Sequence, residues 1–231
     1  FFFCTKNEME DTIYGFQEIE SGLFLCNVPT KTFGEIQSPI IFMGVAKHVD
    51  LIKDFSNPII IYDHYDDLAV SSTPMKTHLA AMRAAKIVIT TSGLLLEDAQ
   101  KIRSDILFIP NGVDYSHVKS FRDAGRENVP TDLIAILSQS KPIIGYSGAL
   151  ATWFDYALVD FLAKQRREWN FVLIGTNYDG TLDKSNILAN SNVFWLGMKK
   201  YEELFQYVRH FSVGIIPFHV NEITLATSPL K

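Results

Sequence analysis

The sequence predicts an α/β protein made of two parallel-sheet units in series, on three observations. Short apolar runs closed by a turn residue recur without polar alternation, as burial on both faces of a parallel sheet demands. Amphipathic helical stretches lie between those runs, the mark of strand–helix–strand crossovers and a doubly wound sheet. The alternation pauses once, in a polar stretch, and then restarts. A length of 231 residues suits one large domain or two small ones.

Strands are expected at 22–26 (Gly-Leu-Phe-Leu-Cys), 39–43 (Pro-Ile-Ile-Phe-Met), 58–62 (Pro-Ile-Ile-Ile-Tyr), 86–90 (Lys-Ile-Val-Ile-Thr) and 106–109 (Ile-Leu-Phe-Ile). Helices fall between them at 49–55, where Val49, Leu51, Ile52 and Phe55 supply the apolar stripe, at 76–85 and at 93–102. Ser92 is placed to cap the last of these, with Glu97 and Asp98 in its early turns. Residues 115–128 gather Lys119, Arg122, Asp123, Arg126 and Glu127 and read as a linker, which divides the chain into 1–125 and 126–231. Beyond it come a strand at 142–146, a helix at 156–168, strands at 171–174 and 193–196, a helix at 201–210 and a strand at 213–217.

The chain has 21 Lys and Arg against 26 Asp and Glu, a net charge of −5, which argues against gripping a nucleic-acid backbone. A small anion held by backbone amides remains compatible with that balance. Cys4 and Cys26 make no disulfide framework or metal-ligand spacing, so a reducing, cytoplasmic setting is expected. Phe1, Phe2, Phe3 and Cys4 run at once into Lys6, Glu8, Glu10 and Asp11, too short for a signal peptide. No uncharged run approaches the ~20 residues of a spanning helix, so any membrane contact is expected at the surface. The ending Thr227, Ser228, Pro229, Leu230, Lys231 reads as a chain cut inside a domain.

Ligands of open α/β sheets bind beyond the carboxyl ends of the strands, and four places there stand out. After the strand at 58–62 come Asp63, His64, Tyr65, Asp66 and Asp67; desolvated neighbouring carboxylates raise one another's pKa and suit a sugar hydroxyl or a proton transfer. The same residues could instead cap the next turn. Asn111 and Gly112 follow the last strand of the first unit and make a sharp turn. Gly145, Tyr146, Ser147 and Gly148 lead through Trp153, Phe154 and Asp155 into a helix, where small residues let amides approach a diphosphate, or simply close a tight turn behind an aromatic plug. Asn221 and Glu222 after the last strand could hold sugar hydroxyls, with Ser228 and Lys231 a turn later for a phosphate; a surface loop is the bland reading. The other histidines, His219 among them, form no ligand pair, and no nucleophile elbow occurs, so neither a metal site nor an esterase triad is expected.

Taken together, residues 86–93 (Lys-Ile-Val-Ile-Thr-Thr-Ser-Gly) with 106–114 (Ile-Leu-Phe-Ile-Pro-Asn-Gly-Val-Asp) resemble the end of the acceptor domain of GT-B fold glycosyltransferases, especially family four. The stretch 142–150, with Trp153, Phe154 and Asp155, 171–175, 192–197, 201–204 and 215–224, is similar to the donor domain of that family. The resemblance runs from about Pro58 to the last residue. It implies two Rossmann-like domains, the second incomplete, and a retaining glycosyltransferase that takes its sugar from a nucleotide diphosphate sugar without an essential metal or other cofactor. The acceptor would be a polysaccharide, a lipid-linked saccharide or a glycoconjugate, met in the cytoplasm or at the inner face of the membrane.

By the same resemblance, Gly148 belongs to the diphosphate turn, Lys231 to phosphate charge, and Asn221 and Glu222 to the donor sugar, with Glu222 in a catalytic place. Trp153, Asp155, Ser228 and Asn111 join the substrate-binding set. Asp63, His64, Asp66 and Asp67 would meet the acceptor or the reacting end of the donor from the other domain. The sequence departs from the family in holding no Arg or Lys in 149–153, and the second of the family's paired glutamates would lie past Lys231. A non-hydrolysing nucleotide-sugar epimerase and a non-catalytic binding or assembly subunit share the architecture and stay open as alternatives.

Overall fold

A computed structural model of the chain describes residues 16–26, 36–123 and 129–229. The chain divides into two units, Phe1–Pro110 and Asn111–Lys231.

Unit 1 carries a four-stranded parallel sheet of β3 (Ile40–Met43), β4 (Ile59–His64), β5 (Ile87–Thr90) and β6 (Ile106–Phe108), ordered in space as in sequence. Pairing is in register from Ile40 with Ile59 through Ile61 with Ile87 to Val88 with Ile106. The connections are a 3-10 helix (Ala46–Asp54), α1 (Met75–Ala84) and α2 (Gly93–Gln100). A right-handed crossover that always steps the same way lays its helix on the same side of the sheet. All three connections accordingly meet one core, in which Ala46, Val49, Ala81, Met82 and Ala99 pack on Met43, Ile60, Tyr62 and Val88. Ser92 caps α2 by accepting from the Leu95 amide at 3.4 Å, as its side-chain type predicts. The far end of α1 is closed by Arg103, whose Nη1 donates to the carbonyls of Met82 and Ala85 at 2.9 and 2.8 Å while Asp105 holds the rest of the guanidinium.

Two expectations for this unit change. The run at 22–26 does not join the parallel sheet. β2 (Leu23–Cys26) pairs antiparallel with β1 (Phe16–Glu20) in a two-stranded sheet, because Gly22 takes φ +77° and reverses the chain. The helix expected at 49–55 is the tighter 3-10 form and begins at Ala46.

Unit 2 opens with two helices, α3 (Tyr115–Asp123) and α4 (Thr131–Leu137). The polar stretch read as a linker thus contains α3, and the division of the chain falls before it. Its stripe explains why: His117 stacks on Tyr201 at 5.0 Å and meets Phe121 and Phe205 edge-on, so one face is aromatic although the stretch is rich in charged residues. Residues 124–128 lie outside the described residues. Next come β7 (Ile143–Ser147), α5 (Tyr156–Gln165), β8 (Asn170–Ile174), α6 (Thr181–Lys184), β9 (Val193–Trp195), α7 (Tyr201–Val208), β10 (Val213–Gly214) and α8 (Glu222–Ala226). The sheet is parallel with order β10-β7-β8-β9.

Here the path steps outward from β7 to β9 and then reverses to place β10 on the other side of β7. The reversal sends α7 to the opposite face from α5 and α6. One core joins Val159, Ala163 and Leu182 to Ile144, Tyr146, Phe171 and Leu173; the other joins Leu133, Ile136 and Tyr207 to Ile143, Val172 and Ile174. Every residue of β8 is therefore buried. Asn192 finishes the packing by donating its amide to the carbonyls of Ala163, Arg166 and Trp169 at 3.1, 3.2 and 2.9 Å, which satisfies the last turn of α5. Among the described residues, no helix is long and apolar enough to cross a membrane.

Candidate functional site

In unit 2 the reversal between β7 and β10 creates a topological switch point, and the loops leaving those two strands bound it. The first loop starts at Gly148, with φ +154°, a region that disfavours side chains. Its amide donates to Ile174 O at 2.8 Å, and the Leu150 amide to Thr176 O at 2.8 Å. Opposite it, Gly175 has φ +147°, and a Cβ there would stand 1.9 Å from Gly148 O. The small residues of this turn thus let two backbones cross. The amides of Gly148 and Leu150 are spent on that crossing, whereas the Ala149 amide donates to none of the described residues.

The loop then runs alongside the one that follows β10. Phe154 pairs antiparallel with Phe218, the Asp155 amide donates to Pro217 O at 2.7 Å, and the His219 amide donates to Trp153 O at 2.9 Å. Phe154 is fully buried and is the aromatic plug the sequence suggests; Trp153 lies beside Tyr178, ring centres 5.9 Å apart. Asp155 splits its carboxylate. Oδ1 caps α5 by accepting from the Leu158 amide at 2.8 Å, and Oδ2 lies 3.6 Å from His219 Nδ1. A second carboxylate, Asp179, accepts from the Thr152 amide at 2.8 Å and from the Thr181 hydroxyl at 2.6 Å, and the Thr181 hydroxyl chiefly holds it below its ordinary pKa.

Asn221 caps α8 in a reciprocal box: its Oδ1 accepts from the Thr224 amide at 3.0 Å, and the Asn221 amide donates to Thr224 Oγ1 at 3.1 Å. Its carbonyl-type oxygen is therefore engaged locally. Glu222 is the first residue of α8 and is exposed. Asn111 falls in unit 2, where its Nδ2 donates to Ser228 O at 2.8 Å, so two residues chosen for separate reasons are one contact. Lys231 lies outside the described residues. Trp153, Asp155, Asn221 and Glu222 do sit on two loops stitched together.

Two participants escaped the sequence reading. His219 looked like one of several scattered histidines, and its partner Asp155 is remote in sequence; only the pairing of the two loops joins them. Thr224 at the third position after Asn221 is the one signal that was present, an Asn-x-x-Thr capping pattern.

In unit 1 β4 runs on to His64, past the end expected at Tyr62, so Asp63 and His64 belong to the strand, paired with Ile89 and Thr90, and only Asp66 and Asp67 follow it. Alternation along the strand turns Tyr62 and His64 to the covered face and Asp63 to the other. Tyr62 Oη and His78 Nδ1 are 3.1 Å apart, His64 Nδ1 lies 3.5 Å from the same oxygen, and the two imidazoles are 4.7 Å centre to centre. All three are buried. Burial, and then the neighbouring His78, push His64 down to about 4, and burial lowers His78 as well. His64 is accordingly a neutral imidazole at neutral pH. Burial also raises Asp63, whose Oδ1 is shielded without a hydrogen-bond partner among the described residues, and it raises Asp66 with a contribution from Asp67. Asp67 Oδ1 accepts from the Ala69 amide at 2.8 Å, the turn-capping use that was the bland alternative. Among the described residues no three His, Cys, Asp or Glu side chains are grouped to hold a metal ion.

This architecture, two α/β units with parallel sheets, is the fold of GT-B glycosyltransferases. Sucrose-phosphate synthase from Thermosynechococcus elongatus superposes with a TM-score of 0.63 at 17% identity, covering 94% of this chain and 64% of that one. HepE from Anabaena, solved in complex with UDP and glucose, gives 0.58 at 17% identity, over 80% of this chain and 53% of HepE. In sequence, the chain is 23% identical over 153 residues to TuaH of Bacillus subtilis (strain 168), whose name assigns it to teichuronic acid biosynthesis as a glycosyltransferase. That match covers 64% of this chain and 37% of TuaH, so the chain spans well under half the length of this curated relative. No family model matches.

Proposed function

We propose that the chain serves a glycosyltransferase that moves a sugar from a nucleotide diphosphate sugar to a polysaccharide, lipid-linked or glycoconjugate acceptor, with retention at the anomeric carbon and no essential metal. The observation that carries this reading is the switch point of unit 2, where the loops after β7 and β10 are stitched at the carboxyl ends of the strands. The relatives support it: HepE was solved with UDP and glucose, and TuaH is named a teichuronic acid biosynthesis glycosyltransferase.

The donor's diphosphate leaves with negative charge, so the residues' main work is to stabilise that charge and to position the acceptor. The Ala149 amide beside the crossed glycine turns is a free donor for it among the described residues. Glu222, exposed at the start of α8, is assigned to the donor sugar and the reacting centre. Asp63 and Asp66, whose pKa values burial raises, are assigned to hydroxyls of the acceptor, at or near the inner face of the membrane.

The test is a thermal-shift panel of UDP, GDP, dTDP and CMP with their sugars. One base is expected to stabilise the protein selectively, by about 2.7 kcal/mol at a hundredfold excess over Kd. Glu222→Ala is expected to lose sugar transfer and donor hydrolysis while keeping that nucleotide shift. Full activity in the variant removes Glu222 from the mechanism, and conversion of the donor sugar to its epimer without acceptor points to an epimerase instead.

A further inference from the structure

Tyr62 and His78 have no part in the reading above, yet both are buried against a candidate site residue, His64. Exposure is 2% for Tyr62, 5% for His64 and 3% for His78, so their polar atoms must be satisfied by one another or by something that enters. Tyr62 and His64 share the covered face of β4, and His78 comes down on them from α1, its ring 4.7 Å from that of His64 and 5.7 Å from that of Tyr62. Tyr62 Oη lies between the two imidazoles, 3.1 Å from His78 Nδ1 and 3.5 Å from His64 Nδ1. Neither ring has another hydrogen-bond partner among the described residues.

The neighbouring groups do not compete for these nitrogens. Asp67 accepts from the Ala69 amide and Asp98 from Lys101, although both carboxylates act on His64 through space. Thr90 Oγ1, at the position paired with His64 in the sheet, is buried without a partner among the described residues. The phenol is therefore the group that bonds both rings. A neutral imidazole carries one N–H, on Nδ1 or on Nε2, and a phenol has one proton to give. Tyr62 can donate to one Nδ1 and must accept from the other, which forces the two rings into opposite tautomers. O–H bonds run shorter than N–H bonds, so the closer contact assigns the phenol proton to His78 Nδ1. His64 is left to donate from Nδ1, and its Nε2 keeps a lone pair that no described residue uses.

We propose that Tyr62 and His78 are positioning residues that hold His64 in its Nδ1–H tautomer and so offer its Nε2 as a hydrogen-bond acceptor to a hydroxyl at the carboxyl end of β4. The inference rests on the reading of this strand end as the acceptor side and adds to it the residues that set the sense of the bond. In the opposite tautomer the same nitrogen would be a donor. Burial keeps both imidazoles neutral at neutral pH, so the tautomer is the property left for the surroundings to choose.

The experiment is long-range proton–nitrogen correlation NMR of the isotope-labelled 231-residue chain at pH 7, which shows the nitrogen that carries the proton in each imidazole. His64→Gln and His78→Leu identify the two sets of signals. Expected in the wild-type chain are Nδ1–H for His64 and Nε2–H for His78. His78→Leu releases the phenol proton to His64 and should switch His64 completely to Nε2–H. His78→Asn, whose side-chain oxygen can stand in for Nδ1 as acceptor, should restore the Nδ1–H form. In Tyr62→Phe the coupling is gone, so adding His78→Leu should leave His64 as it is in the single variant. Any other wild-type pattern, or a His64 tautomer indifferent to His78→Leu, overturns this inference and leaves the glycosyltransferase reading standing. Failure of that reading, seen as no nucleotide shift in the thermal panel, leaves the tautomer result unchanged, so the two are separable. Backbone amide spectra confirm that each variant is folded.

Discussion

The four-stranded parallel sheets of units 1 and 2 differ in the direction in which the chain winds through them. In unit 1 the described parallel strands follow each other in order, so every crossover helix lands on one face and, among the described residues, a single core forms. The opposite face keeps Ile40 71% and Phe42 59% exposed. In unit 2 the path reverses once, which covers both faces and buries Phe171 completely. The same reversal makes the switch point at the carboxyl ends of β7 and β10, whose outgoing loops pair with each other. Coverage and the candidate site thus have a common origin in topology, and strand composition alone, rich in Ile and Val in both units, does not distinguish them.

The comparison can be broken most severely at Gly175. A side chain there requires a left-handed φ and collides with Gly148 O, so Gly175→Ala should cost about 4 kcal/mol or more and unfold unit 2. All three tryptophans, Trp153, Trp169 and Trp195, lie in unit 2, so their fluorescence reads that loss while hydrogen exchange follows unit 1. Core truncation comes next. Phe171→Ala should cost about 3–5 kcal/mol in urea denaturation, whereas Phe42→Ala on the exposed side of β3 should cost less than about 1. Equal costs would mean that the exposed face of β3 is covered after all.

Unit 1 should also respond to acid through its buried imidazoles. Above about pH 6.5 His64 is neutral both folded and unfolded; below that, the unfolded chain takes up a proton that the folded chain refuses until about pH 4. Stability therefore falls as pH falls across that window, by up to about 3 kcal/mol for His64 at 1.36 kcal/mol per pKa unit. His78 acts in the same direction. Asp63 and Asp66 act oppositely, because their raised pKa values make the folded state bind protons first. His64→Gln should flatten the slope of stability against pH, measured by hydrogen exchange at α1 and β4. The smallest effect concerns a local cap: Ser92→Ala should cost about 1 kcal/mol, seen as faster exchange at the start of α2.

Much of this was legible in the residues themselves. Runs such as Pro-Ile-Ile-Ile-Tyr at 58–62 became strands because β-branched residues fit a pleat buried on at least one side. Ser92 was readable as a cap, since a hydroxyl before an apolar stripe has few other uses. Helix α3 was hidden under its charges, because its stripe of His117 and Phe121 gains meaning only against Tyr201 and Phe205 on another helix. The short run at 22–26 was read as one more parallel strand, since five residues carry no sign of the direction in which their partner will run. For the candidate site, the strand ends were found by rule and the roles were less visible: Asn221 was chosen for its amide and is engaged as a helix cap.

By itself the sequence determined the element types, the parallel α/β class and the strand ends where ligands are sought, because periodicity and turn chemistry are local properties of a few neighbouring residues. Only the tertiary structure decided that unit 2 reverses its winding, that Gly148 and Gly175 cross backbone to backbone, and that Asp155 meets His219. Each of those depends on which distant segments come to lie side by side. That outcome is settled by the handedness of crossovers and the burial of two faces at once, and no single stretch of residues encodes it.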